Sequence, residues 1–163
     1  MQIQFKPLEI GDAEQFFALV NEIKDEGTYL FSTLRFPFED TKTYIAKHVE
    51  VGSPIWGAFD GEKLVGWIDY NRGNFPEIEH IASLGMGLKR DYRGKGLGKA
   101  LLGKCLESAK EGGIVKMELE VFASNTVAEK LYRKSGFVEE GRKVRGRKFN
   151  GKYEDLICMY KML

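Results

Sequence analysis

From residue 93 to residue 99 the chain reads Arg-Gly-Lys-Gly-Leu-Gly-Lys. Gly94, Gly96 and Gly98 stand on alternate positions, with Arg93, Lys95 and Lys99 beside them. Glycine turns tightly and lets a ligand approach the backbone with no Cβ in the way. From Leu97 onward the sequence carries the period of an amphipathic helix. A helix start leaves amide N–H groups unpaired and bears roughly half a positive charge. Bare amides, partial charge and cations together suit an anion, and a diphosphate is the natural guest. Two familiar phosphate loops do not fit. A Walker loop needs glycine at 93 and Ser or Thr at 100, where the chain has Arg and Ala. A dinucleotide fingerprint begun at Gly94 or Gly96 would end on Lys99 or Leu101 instead of glycine. The pattern that fits is Arg93-x-x-Gly96-x-Gly98 after a strand.

That strand, residues 80–88, adds a second feature. Leu84, Met86 and Leu88 share one face and read as core, while Ser83, Gly85 and Gly87 leave the other nearly bare. A bare face admits an extended ligand or another backbone; equally, it admits a bulge or a helix packed close over Gly85 and Gly87. Joined to a diphosphate site, it suggests a long ligand with an amide-bearing arm, the shape of coenzyme A.

Two stretches, "LGMGLKRDYRGKGLGKALL" and "LEVFASNTVAEKLYRKSGF", resemble the GNAT superfamily of N-acetyltransferases. The first resembles its acetyl-CoA loop, the second its following strand, Asn and "LY..GF" segment. The tail "GRKVRGRKFNGKYEDLICMYKML" is similar to members acting on amino acids, peptide N-termini or other small amines. The resemblance implies an α+β (mixed α/β) fold: a central, mostly antiparallel twisted sheet of six to seven strands with about four helices. It implies acetyl-CoA as acetyl donor. The amides of Gly94, Lys95, Gly96, Leu97 and Gly98 would hold the pyrophosphate, with Arg93, Lys95 and Lys99 supplying charge. The backbone at Met86 and Leu88 would pair with the pantetheine arm as an added strand. Asn125 would touch the coenzyme, and Tyr132 would sit beside its sulfur.

Acetyl transfer needs a neutral amine, and an alkylammonium has a pKa of about 10.4, so a base or a water chain helps at neutral pH. The departing thiolate gains from an acid, and the carbonyl oxygen from a donor such as a free strand amide near Leu88. By spacing, Tyr132 reads as a core tyrosine bonded to a backbone carbonyl; the resemblance makes it the acid. Glu120 lies on the polar face of "KMELEVF", near the strand's end. It reads either as the base or as a carboxylate paired with a cation. The matching position in ribosomal-protein N-terminal acetyltransferases is also a glutamate thought to act as base. Glu77, Glu79, His80 and a water chain are the competing bases. The aromatic loop "TYLFSTLRFPFE" offers Tyr29, Phe31 and Phe36 to wall an acceptor pocket and Arg35 to hold a carboxylate, with Glu79 a further acceptor contact; some of the rings can equally pack on the sheet.

These groups need a scaffold, and the periodicities supply one. Helices are expected at residues 12–27, 40–51, from the glycines to Lys110, and over "TVAEKLYRKSG". Leu97, Leu101, Cys105 and Ala109 recur every fourth residue and mark a buried stripe. Strands are expected at 2–6, in a hairpin around Asp60-Gly61, at 80–88, over "IVKMELEVF", and in a long terminal hairpin turning at Asn150-Gly151. The 163 residues suit one domain, residues 1–163. A net charge of +1 gives no field to recruit nucleic acid or an acidic membrane. No apolar run reaches membrane-spanning length, and the N-terminus lacks a signal peptide's pattern, so a cytoplasmic protein is expected. Cys105 and Cys158 make no disulfide framework, and His48 and His80 share no ligand spacing with them, so no metal is expected. The basic run Arg142–Lys148 reads as a solvated face or as an attractor for an acidic acceptor or the coenzyme phosphates. The terminal hairpin offers an edge for a homodimer. The leading function is direct acetyl transfer from acetyl-CoA to a primary amine. Its alternatives are a catalytically silent coenzyme-binding module and an RNA-binding protein, the last leaving the glycines unexplained.

Overall fold

A computed structural model of the chain describes residues 2–30 and 32–163. Phe31, an expected pocket ring, lies outside the described residues. The elements run β1 (Ile3–Pro7), α1 (Ala13–Asp25), α2 (Phe38–Glu50), β2 (Trp56–Asp60), β3 (Lys63–Arg72), β4 (Ile81–Leu88), α3 (Leu97–Glu111), β5 (Lys116–Phe122), α4 (Thr126–Lys134), β6 (Val138–Phe149) and β7 (Lys152–Met162). Seven strands form one sheet in the order β1-β2-β3-β4-β5-β7-β6. Every neighbouring pair is antiparallel except β4–β5. This is the expected α+β architecture. Helix α2 begins at Phe38, earlier than its polar pattern suggested. Pro37 stands just before it with φ −57°, and Glu39 and Asp40 fall in the first turn, where carboxylates favour the helix dipole.

Two cores flank the sheet. On one face Leu101, Leu102, Cys105 and Ala109 of α3 pack with Tyr132, Met117, Leu119, Ile157 and Met159. The four-residue stripe from Leu97 to Ala109 is buried throughout. On the other face Phe16, Leu19 and Ile23 of α1 and Ile45 of α2 cover Phe59, Leu64 and Trp67. Gly87 belongs to this second core. A Cβ there would collide with the Trp67 ring and stand 3.0 Å from Ile23 Cδ1. Close packing, not a ligand, therefore occupies that part of the bare strand face. Gly85 and Ser83 remain exposed.

The terminal hairpin turns at Asn150 (φ 49°) and Gly151 (φ 74°), the left-handed pair that matches strand twist. Its outer strand β6 shifts register between Glu139 and Gly141 and again between Lys143 and Arg147. Such bulges, with exposed cations, are how an edge strand resists pairing with another chain. Arg147 departs from the solvated reading of the basic run. It is 7% exposed and lies between the rings of Phe122 and Phe149, at 4.2 and 4.5 Å. Its guanidinium donates to the carbonyl of Gly27, fastening the hairpin to the end of α1. No helix among the described residues is long and apolar enough to cross a membrane.

Candidate active site

Strands β4 and β5 run parallel for three pairs, Ile81 with Lys116, Ala82 with Met117 and Ser83 with Glu118. Beyond these β4 stays with β3 as far as Leu88, while β5 follows β7 to Phe122. The sheet thus forks at Ser83 and Glu118. Lys89 N–H donates to Val65 O at 2.9 Å, which fixes the side to which each β4 residue turns its peptide groups. By alternation Met86 and Leu88 turn theirs into the fork. A sheet edge is therefore laid open in the middle of the sheet.

The fork leads to the glycine loop. Gly94 has φ +73° and Gly96 +82°, and nothing stands within 4 Å of where a Cβ on either would be. Gly96 is the residue before α3, in a left-handed conformation. Ala100 N–H is the donor to Gly96 O, at 3.2 Å. The amides of Leu97, Gly98 and Lys99 thus precede the helix's first donor, Ala100, and stay free for a guest. Gly98 serves another purpose. It is buried, and a Cβ on it would meet Leu131 at 3.3 Å, Met86 at 3.4 Å and Leu88 at 3.6 Å. It lets α3 approach β4 and α4. Lys95 lies over the Tyr92 ring, 5.4 Å from its centroid. Among the described residues neither Lys95 nor Lys99 enters an ion pair. A cradle open where side chains would stand, free amides and two free cations fit a diphosphate. The open edge beside it fits an amide-bearing arm.

Arg93 corrects the sequence reading of a free loop cation. Its Nη atoms hold Glu26 at 2.7 and 2.8 Å, and Nε donates to Leu88 O at 2.9 Å. The Tyr29 ring lies against the guanidinium, 4.3 Å from centroid to Cζ. Arg93 therefore spends its charge on Glu26 and ties the end of α1 to the end of β4. Hydrogen bonds from Arg93 hold Glu26 below the ordinary value of 4.5, and the charges of Arg93 and Arg90 act in the same sense. A depressed folded-state pKa stabilises the fold above the unfolded value and ceases to do so as pH falls through the folded one. Thermal melts of wild type and Glu26→Gln should therefore differ most at neutral pH, wild type being higher. The gap should close as pH drops below about 4.5.

Tyr132 on α4 is 6% exposed and packs edge-on against Phe137 at 5.8 Å. Its hydroxyl has no hydrogen-bond partner among the described residues and is not sealed from solvent. The carbonyl bond of an ordinary core tyrosine is absent. Burial pushes its pKa up, and the Cys105 thiol adds to this. Its neighbour Leu131 touches the Gly98, Met86 and Leu88 cluster, so α4 closes one side of the fork. Asn125 caps α4, its Oδ1 accepting from Ala128 N at 3.2 Å. Glu120 takes the paired reading: Lys143 of β6 holds its carboxylate. Glu77, Glu79 and His80 precede β4 at the end away from the glycines. β4 itself, seven steps of extended chain or about 23 Å from Ile81 to Leu88, lies between them and the glycine loop. Arg35, expected to hold a carboxylate, holds that of Asp25 at 2.5 Å. Tyr29 is partly exposed and backs Arg93, and Phe36 lies under the Lys24 ammonium at 4.5 Å. A cleft of about 280 Å³ opens between Ser32 and Thr33 on one side and Gly146, Arg147, Lys148 and Phe149 on the other.

Asp69 is not among the expected site residues. The signal was available, since "LVGWIDY" places one carboxylate in an otherwise uncharged strand core. Residues 64–70 are all buried. Asp69 Oδ2 accepts from the Tyr44 hydroxyl at 2.9 Å. Among the described residues no three of His, Cys, Asp and Glu gather closely enough to hold a metal ion.

The profile of the acetyltransferase (GNAT) family matches residues 16–137, and the chain belongs to that family. It is 28% identical over 162 residues to spermidine N(1)-acetyltransferase of Vibrio cholerae, covering 98% of this chain and 92% of the relative. A GNAT-family acetyltransferase structure from Streptococcus pneumoniae superposes with a TM-score of 0.93 at 26% identity, covering 99% of this chain and 100% of that one. The fold is also that of yncA of Salmonella typhimurium, a putative acetyltransferase solved with its cofactor acetyl-CoA. There the TM-score is 0.93 at 15% identity, over 99% and 94% of the two chains. The chain is an N-acetyltransferase of the GNAT family.

Proposed function

We propose that the chain transfers an acetyl group directly to the primary amine of a small acceptor, with no acetylated enzyme between. The fork carries this reading, because its open edge at Met86 and Leu88 runs straight into the free amides at the mouth of α3. In it the loop of residues 94–99 binds the diphosphate, with Lys95 and Lys99 beside it. The Met86 carbonyl and the Leu88 N–H align the pantetheine arm, the Leu88 carbonyl being held by Arg93, and Asn125 contributes from the opposite strand end. The coenzyme supplies a thioester whose carbonyl carbon is the electrophile. The Met86 N–H, a free strand amide beside Gly85, is the donor for its oxygen, and Tyr132 gives a proton to the departing sulfur.

Direct transfer is supported by the state of the thiols. Cys105 is wholly buried, and burial pushes it up to about 12, so it forms no nucleophilic thiolate. Cys158 lies on β7 opposite Glu120, where burial and then that carboxylate also raise it. The acceptor enters from the face that α1 and α2 only partly cover, past Tyr29 and Phe36 and the cleft at Ser32 and Arg147. The Vibrio relative is a spermidine acetyltransferase, which makes a polyamine the first amine to try. Incubation with acetyl-CoA and a panel of polyamines, amino acids, aminoglycosides and peptide N-termini should release free thiol with at least one amine. Coenzyme-dependent thermal stabilisation without release from any of them would instead mark a silent binding module.

A further inference from the structure

Asp69 is the one buried carboxylate among the described residues, and nothing above gives it a task. It faces the α1–α2 side of β3, and its register partner is Gly85. Gly85 lies two residues beyond the last β4–β5 pair, where the fork opens. It has no side chain and is exposed. Asp69 Oδ1 stands 3.3 Å from where a Cβ on Gly85 would be, the nearest heavy atom to that point. Oδ1 meets no side-chain donor and is not sealed from solvent. Oδ2 is fixed by the Tyr44 hydroxyl, which in turn accepts from Asn71 Nδ2 at 2.9 Å. One carboxylate oxygen is thus held, and the other is aimed over bare backbone at the fork's apex. Across the fork Glu120 is neutralised by Lys143, and Glu118 by Lys116.

We propose that Asp69 is the base that takes the proton from the acceptor amine above Gly85. The inference rests on the direct-transfer reading. In the step an N–H bond of the ammonium breaks and its proton passes to Asp69 Oδ1. The nitrogen lone pair forms the N–C bond to the acetyl carbon, and the C–S bond breaks with its electron pair on sulfur. Sulfur takes the Tyr132 proton. A second N–H bond breaks as the amide forms, its proton passing through water to the Tyr132 phenolate, and Asp69 returns its own proton to water. The titratable groups facing Asp69 are Tyr44 and His48 of α2 and, through the sheet, Cys105 of α3. Burial raises the Asp69 carboxyl above its ordinary value, and the Tyr44 hydrogen bond, then His48 and the Gly85 backbone, oppose this. A raised carboxyl is the stronger base of its kind.

Two variants test this. Asp69→Asn keeps the size and still accepts from Tyr44. Its turnover should fall about 10²–10³-fold and lose the acid limb of its pH profile, while coenzyme affinity stays within about 3-fold. Thermal melts give a readout independent of activity. A carboxyl raised in the fold costs stability as pH rises through its unfolded value, so Asp69→Asn should melt at or above wild type at pH 7, the gap closing towards pH 3. Gly85→Val fills the space over Oδ1 with a residue suited to strands. It should lose turnover likewise and keep coenzyme binding. Asp69→Asn turnover within about 3-fold of wild type, a marked fall in its melting temperature at pH 7, or full turnover in Gly85→Val would each overturn the assignment. Those outcomes in an active wild type that Tyr132→Phe impairs sink the base alone. A wild type inactive on every amine sinks the direct-transfer reading, and this one with it.

Discussion

A Gly96→Val variant should lose coenzyme binding at least 100-fold, on the order expected from two lost charge-assisted hydrogen bonds at about 1.5–3 kcal/mol each. Gly96 sits at φ +82° immediately before α3. A β-branched residue there costs about 1–3 kcal/mol in backbone strain or rotates the peptide out of place. The added Cβ and methyls also enter the space left open over the loop. Either effect removes the free amides from their aim. Gly103→Ala is the control, on the same helix with nothing within 4 Å of its Cβ position. It should bind coenzyme as wild type does and gain a few tenths to about 1 kcal/mol of stability. Isothermal titration with coenzyme A decides the matter. Binding by Gly96→Val within about 3-fold of wild type would remove the loop from the role proposed for it.

The second large effect is expected at Tyr132. Tyr132→Phe keeps the ring and its packing on Phe137 and removes only the hydroxyl. Turnover should fall about 10²-fold, within the span typical of a lost general acid. Coenzyme affinity should change less than about 3-fold, because the loop amides, not the phenol, hold the diphosphate. The pKa raised by burial adds a pH statement. The phenol stays protonated beyond its ordinary value of about 10, so no alkaline fall in turnover below that pH comes from Tyr132. Steady-state kinetics of both proteins from pH 6 to 10 measure this. Equal, small effects on turnover and affinity would return Tyr132 to the core.

Local chemistry was legible in the sequence. The glycine run, the stripe of Leu97, Leu101, Cys105 and Ala109, and the Asn150-Gly151 turn each depend on residues a few positions apart, and each stands where its pattern put it. What escaped depends on contacts between distant segments. Arg93 looked like a free cation because Glu26 is 67 residues away in sequence. Glu120 stayed open between a base and a paired carboxylate because its partner Lys143 lies on a strand two positions across the sheet. Arg147 looked solvated until the end of α1 was brought to it. Gly85 and Gly87, alike in sequence, part company in the fold. Gly87 accommodates Trp67 and Ile23, while Gly85 stays open beside Asp69. The same limit hid Asp69, whose meaning comes from Tyr44 on α2 and from the place where β4 leaves β5.

Residue-resolved amide shifts during a coenzyme A titration test the central claim most directly, with pantetheine, which lacks the diphosphate, as comparison. Coenzyme A should move the amides of Gly94 through Lys99 most, together with Met86 and Leu88, whereas pantetheine should move only Met86 and Leu88. A saturated complex in which the amides of residues 94–99 keep their free positions would contradict the account.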